Sequence, residues 1–326
     1  MPVVAATPNA IREAAQALRR GDIVAFPTET VYGLGASALD ARAVAKVFAA
    51  KERPRFNPLI VHLLGIAEAE SYAILDATAW KLSESFWPGP LSLVLKKRYG
   101  CKIADLVSAG LDTIAVRAPA HLAARALLAE TQLPIAAPSA NRSGRVSPTT
   151  AAHVEAELDD VPSTILDGGP SPLGLESTVL SLVGGAPTLL RLGALPREAI
   201  EAVLGQKLAQ AKPDAPVTSP GQLAPHYAPD TELRLGATTV GPNEALLAFG
   251  PRVPKGAVAT INLSASGDLG EAAARLFGAL RELDQYGATT IAVMPIPNHG
   301  LGEAINDRLQ RATCRAQSIG VSAHSE

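Results

Sequence analysis

The sequence predicts an α/β protein in two parts, a large domain built on a twisted mixed sheet and a smaller α/β domain after it. Short apolar runs such as IVAFP (23–27), LSLVLK (91–96) and TIAVRA (113–118) have the length and β-branched content of buried strands. Helical patterns alternate with them irregularly, and hairpin-like spacing near 177–193 favours a mixed sheet over a regular parallel one. A proline-rich stretch at about 205–232 then breaks the pattern, and a second α/β alternation follows.

The first helix is expected over 8–20, with Thr7 as cap, Pro8 in the first turn and Gly21 at the end. Ile11, Ala14, Ala15 and Leu18 give it one apolar face. Strand 23–27 follows, then a helix capped by Asp40 and running to about Lys51. Further strands are expected at 59–63, 91–96, 113–118, 134–139, 164–167, 177–183 and 188–193, with helices near 66–72, 76–86, 120–130, 148–157 and 196–204. Beyond the linker, strands at 246–250, 258–263 and 290–297 and helices at 268–284 and 302–315 suffice for a small three-layer domain. The expected boundaries are 1–205 for the first domain, 206–233 for a linker or lid, and 234–326 for the second domain.

Composition narrows the function class. Hydrophobic residues make up 47% and aromatics 4%, so the core must be built from Ala, Val, Leu and Ile. A net charge of -2 argues against a dedicated nucleic-acid coat. Cys101 and Cys314 are far apart and offer neither a disulfide scaffold nor a metal-ligand pair. With no signal-peptide pattern and no long apolar run, a soluble cytoplasmic protein is expected.

Three fragments hold chemistry that a core does not need. PTETVYGLG (27–35) follows a strand and offers the hydroxyls of Thr28, Thr30 and Tyr32 beside Gly33 and Gly35, but it also reads as a polar loop with turn glycines. KERPRFNPLIVH (51–62) places Lys51, Arg53 and Arg55 within five residues. Cations at a helix C-terminus favour its dipole, yet Pro54 and Pro58 stiffen the turn and would hold Lys51 and Arg53 for phosphoryl or nucleotidyl transfer. His62 lies inside an apolar strand, where a hydrogen-bonded core role is the commoner one. In PSANRSG (138–144), Ser139 and Asn141 share a face of an extended segment and suit ligand hydrogen bonding, or an Asx/Ser turn. Arg117 ends a strand and could grip a carboxylate or form an ion pair. HYAP (226–229) could close over a site or serve as a spacer.

In order along the chain, PTETVYGLG, KERPRFNPLIVH, WPGPLSLVL, VRAP, PSANRSGRVSPT, LDGG, ESTVL, LRLG, SPGQLAPHYAP and ELDQYGATTIAVMPIPNHGLGEAINDRLQRA resemble the threonylcarbamoyl-AMP synthase (YrdC-like) family in its longer, two-domain form. The resemblance implies a YrdC-like twisted open sheet with a basic-lined cavity and a Rossmann-like C-terminal domain. It implies an enzyme that joins L-threonine, bicarbonate and ATP, with Mg2+, into threonylcarbamoyl-AMP. A partner complex would then move the threonylcarbamoyl group to adenosine 37 of tRNA. Thr30, His62, Arg117, Ser139 and Ser177 are thereby implied to bind L-threonine. Lys51, Arg53, Asn57, Thr113, Asn141, Ser147, Arg191 and Tyr227 are implied to bind ATP, with Lys51 and Arg53 catalytic. The residues alone leave open an RNA-binding module, motivated by Arg142, Arg145 and the KERPR cations.

Overall fold

The computed structural model describes residues 3–159, 161–211 and 227–314. Strand β1 (Val3–Ala5) leads into α1 (Pro8–Arg19), β2 (Val24–Phe26), β3 (Gly33–Ser37), α2 (Ala41–Lys51) and β4 (Ile60–His62). Then come α3 (Ile66–Ala69), α4 (Ala77–Phe86), β5 (Leu91–Lys96), β6 (Thr113–Arg117), α5 (Leu122–Thr131) and β7 (Ile135–Ala136). The first domain continues through α6 (Ala151–Leu158), β8 (Thr164–Asp167), β9 (Thr178–Ser181), β10 (Thr188–Arg191), α7 (Arg197–Leu204) and β11 (Ala209–Gln210). The second consists of β12 (Glu232–Leu235), β13 (Glu244–Ala248), β14 (Ala259–Asn262), α8 (Leu269–Leu283), β15 (Thr290–Val293) and α9 (Leu301–Ala312).

The first helices start where their caps dictate. Thr7 Oγ1 accepts from the Ala10 N–H, and the Asp40 carboxylate from those of Arg42 and Ala43; such a cap contributes about 1 kcal/mol. The large sheet runs β1-β8-β2-β3-β7-β4-β6-β5-β9-β10-β11 and mixes parallel with antiparallel pairs. The 177–193 spacing is an antiparallel β9–β10 pair with a register shift between Leu189 and Arg191.

PTETVYGLG, readable as a loop throughout, is strand in its last three residues. Its glycines explain why: a Cβ on Gly35 would stand 2.7 Å from Ile135 and 2.8 Å from the Phe26 ring. Only a bare strand lets Phe26 lie across β3. The 206–233 range contains β11, which pairs with β10, and the first residues of β12; 212–226 lies outside the described residues.

The second domain's sheet is wholly parallel, in the order β12-β15-β13-β14. Instead of three layers it has two of regular structure. Helices α8 and α9 pack together on one face, and the other is closed by loop residues Val240, Val253 and Ala257. The helical layer is shared with the first domain: Val31, Val146, Leu175 and Ala194 join its apolar cluster. Gly174 marks a close approach, where a Cβ would lie 2.4 Å from the Ala273 carbonyl oxygen and 2.5 Å from the Ala274 Cα. Among the described residues, no helix is long and apolar enough to cross a membrane.

Candidate active site

The sheet brings the distant motifs to one place. The Leu34 N–H donates to the Pro138 carbonyl and the Ala140 N–H to that of Tyr32, while Gly33 bridges Ser139. PTETVYGLG and PSANRSG are thus stitched edge to edge. Strands β4 and β6 run parallel with His62 beside Arg117. The cavity between these elements is lined by Thr28, Thr30, Tyr32, Arg53, His62, Arg117, Ser139, Glu176, Ser177, Arg191 and Tyr227, with Val31, Gly33, Ile60, Ala137 and Pro138.

At one end, the Arg117 guanidinium is fixed on three sides. It donates to Gly89 O at 3.1 Å, to Thr30 Oγ1 at 3.0 Å and to the Glu29 carboxylate. Thr30 Oγ1 also sits 2.8 Å from Thr28 Oγ1. Burial pushes the Glu29 carboxyl up, but the charge and hydrogen bonds of Arg117 outweigh it and hold the group below 4.5. His62, buried at 4% exposure, meets Phe26 edge-on at 6.0 Å between ring centroids. Burial, then the charge of Arg117, pulls its pKa down to about 3, so the ring is neutral at pH 7. Its Nδ1 has no hydrogen-bond partner among the described residues.

At the other end, Arg191 holds the Ser177 carbonyl with Nε (3.1 Å) and Nη2 (2.9 Å) and reaches Ser177 Oγ at 3.1 Å. Ser177 Oγ also lies 2.8 Å from Ser92 Oγ. Arg53 donates to the carbonyls of Asn57 (3.2 Å) and Pro58 (2.9 Å), so the proline-stiffened turn does hold it rigid. Burial and then the charge of Arg191 lower its pKa to about 9; it remains a cation at neutral pH. Tyr227 closes this end, stacked on Phe277 at 5.5 Å and flanked by Arg308 and Arg311. His226 lies outside the described residues.

Lys51, Asn57, Thr113, Asn141 and Ser147 do not line the cavity. Lys51 is fully buried, and its ammonium donates to the carbonyls of Ser139 (2.6 Å) and Asn141, while its own carbonyl accepts from the Ser143 N–H. Here it braces the PSANRSG turn. Burial, then the neighbouring Arg53 charge, pulls its pKa well below 10.5. Asn141 donates to the carbonyls of Arg142 and Arg145, both at 2.8 Å. The Oδ1 atoms of Asn57 and Asn141 are buried without a partner among the described residues, and these are two amide oxygens in reserve. Ser147 donates to Glu176 at 2.5 Å, and Thr113 lies in β6 opposite Lys96.

Two acids escaped the sequence reading. Glu29 stands inside PTETV beside Thr30, and Glu176 opens ESTVL beside Ser177. Their adjacency to proposed ligand residues was the available signal. Arg308 was missed too; it occupies the apolar stripe Ala304–Arg308–Ala312 of α9, where a charge is out of place unless something buried answers it.

The same motifs mark the chain's relatives. A family model described as "Telomere recombination", covering Sua5, YciO and YrdC proteins, matches residues 16–193. A second, described as "Threonylcarbamoyl-AMP synthase, C-terminal domain", matches 195–314. The chain belongs to the threonylcarbamoyl-AMP synthase family. Threonylcarbamoyl-AMP synthases of Pyrococcus abyssi (strain GE5 / Orsay) and Bacillus subtilis (strain 168) are each 41% identical to it over 93% of this chain, covering 94% and 92% of their own lengths. The crystal structure of P. abyssi Sua5 complexed with L-threonine superposes with a TM-score of 0.87 at 38% identity, over 94% of this chain and 95% of that one. The likeness to this Sua5 structure spans both domains.

Proposed function

We propose that the protein is an L-threonylcarbamoyladenylate synthase, a nucleotidyltransferase that joins L-threonine, bicarbonate and ATP and releases pyrophosphate. The observation that carries this reading is a single buried cavity with opposite ends of different chemistry. One end pairs a fixed guanidinium (Arg117) with a hydroxyl (Thr30), as an amino-acid carboxylate and its polar neighbours require. The other sets Arg53 and Arg191, both buried cations, where a polyphosphate needs them. Ser139 lines the same cavity, on the turn braced by Lys51.

In this reading the neutral threonine amine adds to bicarbonate, forming the C–N bond of a carbamate and releasing water. A carbamate oxygen then attacks the α-phosphorus, the bond to the β-phosphate oxygen breaks, and pyrophosphate leaves with the electron pair. His62 is too weakly basic to take the amine proton at pH 7 and serves as a neutral hydrogen-bonding wall. Arg53 and Arg191 offset charge developing on the phosphates.

Among the described residues, no group of three or more His, Cys, Asp or Glu side chains could hold a metal. The acid in the cavity's nucleotide end, Glu176, is committed to Ser147 and Arg308. Mg2+ therefore enters this proposal as the counter-ion of the ATP substrate, held by phosphates and water, and no step is assigned to it. We place the reaction in the cytoplasm, where ATP is at hand, with the product passed to a tRNA threonylcarbamoyl-transferase complex. The RNA-binding reading is less favoured: Arg142 pairs with Glu52 and Arg145 with Asp230, and of the KERPR cations Lys51 and Arg53 are buried while Arg55 is exposed. Pyrophosphate release that requires L-threonine and bicarbonate together supports the assignment; release indifferent to threonine overturns it.

A further inference from the structure

We propose that Arg308, a residue of the second domain, is a positioning residue for the nucleotide end of the cavity, acting through Glu176 and the Leu192 carbonyl. This rests on the reading of that end as the ATP site. Arg308 is fully buried. Its Nε donates to Glu176 Oε2 at 2.9 Å and its Nη2 to Leu192 O at 2.7 Å, while Nη1 meets Asp307. Glu176 in turn accepts from Ser147 through Oε1, and its backbone carbonyl accepts from the Ala194 N–H. Glu176 immediately precedes Ser177, and Leu192 immediately follows Arg191. One guanidinium therefore ties down both segments that carry Ser177 and Arg191. Ser177, which the resemblance assigns to L-threonine, is held by Arg191 through its carbonyl and hydroxyl and is read in this proposal as part of the nucleotide end.

The fork geometry matters. Arg308 reaches a carboxylate on one segment and a carbonyl on the other with a single rigid plane, while its central carbon lies 4.8 Å from the Tyr227 ring centroid. A lysine ammonium is a point donor and cannot span all three with the same stiffness. The spacing of the two segments is tight as well: a Cβ on Gly193 would lie 2.4 Å from Glu176 O. A small slip of the tie is thus transmitted to Ser177 and Arg191. The amino-acid end (Thr30, Arg117, Glu29) is anchored separately, to Gly89 and Ala120, and shares no hydrogen bond with Arg308. The second domain is, on this account, part of the catalytic architecture, completing a cavity that the first domain lines.

The test uses the full-length chain with Arg308→Lys, Glu176→Gln and the double variant. Steady-state kinetics give KM for ATP, calorimetry gives the L-threonine Kd without nucleotide, and thermal melting tracks folding. Arg308→Lys is expected to raise KM for ATP about ten- to a hundredfold, the scale of a small misplacement, and to leave the threonine Kd within about twofold. The double variant is expected to be no worse than the poorer single, because both cut the same tie. Equal losses in ATP and threonine binding, an altered melting temperature with unchanged KM, or additive effects of the two changes would each overturn the proposal. A wild-type protein that makes no adenylate sinks the proposed function instead; a working wild type matched by Arg308→Lys sinks this inference alone.

Discussion

The buried guanidinium of Arg117 donates to the carboxylate of Glu29, and both side chains are under 10% exposed. The pair fixes the Arg117 side of the cavity before any ligand arrives. Of the two sequence readings of Arg117, carboxylate grip or ion pair, the structure shows the ion pair, and the same residue lines the cavity. Removing one partner of a buried pair leaves an uncompensated charge, which costs about 3–5 kcal/mol. Glu29→Gln should therefore destabilise the protein by roughly that amount at pH 7. Because the Glu29 pKa lies below 4.5 when folded, the contribution is present above the unfolded value and is lost as pH falls through the folded one. Urea titrations of wild type and variant should show a gap that persists from pH 8 to about 5 and narrows below. A gap constant down to pH 3 would contradict the pairing.

His62 should stay neutral through the working range. With its pKa lowered to about 3, its ring protons in an NMR pH titration should be flat between pH 8 and 5. Its folded value lies below its unfolded one, so it contributes stability above about pH 6.5 that is lost on acidification toward the folded pKa. A midpoint near 6.5 for His62 would mean that the ring is solvated.

Gly174→Ala should pry the domains apart. The position has φ +66° and faces the α8 backbone at under 3 Å, so the substitution meets strain and a backbone clash together. Destabilisation of about 2–4 kcal/mol is expected in chemical unfolding, whereas Gly184→Ala, with φ +91° in open space, should show the strain alone and cost less. Equal costs would show that the contact with α8 is soft.

Tyr227 should matter through its ring. It stacks on Phe277 and lies under two guanidinium groups, so Tyr227→Leu should lose about 1–3 kcal/mol while Tyr227→Phe retains most of it. The comparison is made by thermal unfolding; indistinguishable Phe and Leu variants would remove the ring from the account.

Much of this architecture is legible in the chain. Caps at Thr7 and Asp40, the apolar runs of β5 and β6, and the hairpin of β9 and β10 follow from local rules, and Arg53, His62, Arg117, Ser139, Ser177, Arg191 and Tyr227 do line one cavity. What stayed hidden depends on partners far along the chain. Strand β3 looks like a loop because its glycines are demanded by Phe26 and Ile135. Lys51 looks like a free cation because the carbonyls that claim it lie 88 and 90 residues away. Arg308 looks like one more surface charge until Glu176, 132 residues earlier, is brought against it.

The central claim is that this cavity joins threonine, bicarbonate and ATP with Arg53 as the phosphate-side cation. The most direct measurement is mass-spectrometric detection of an adenylate carrying isotopic label from both bicarbonate and L-threonine, for wild type and Arg53→Ala. The account predicts a doubly labelled adenylate with wild type and a loss of at least about a hundredfold with the variant. An adenylate lacking either label, or undiminished product from Arg53→Ala, would contradict it.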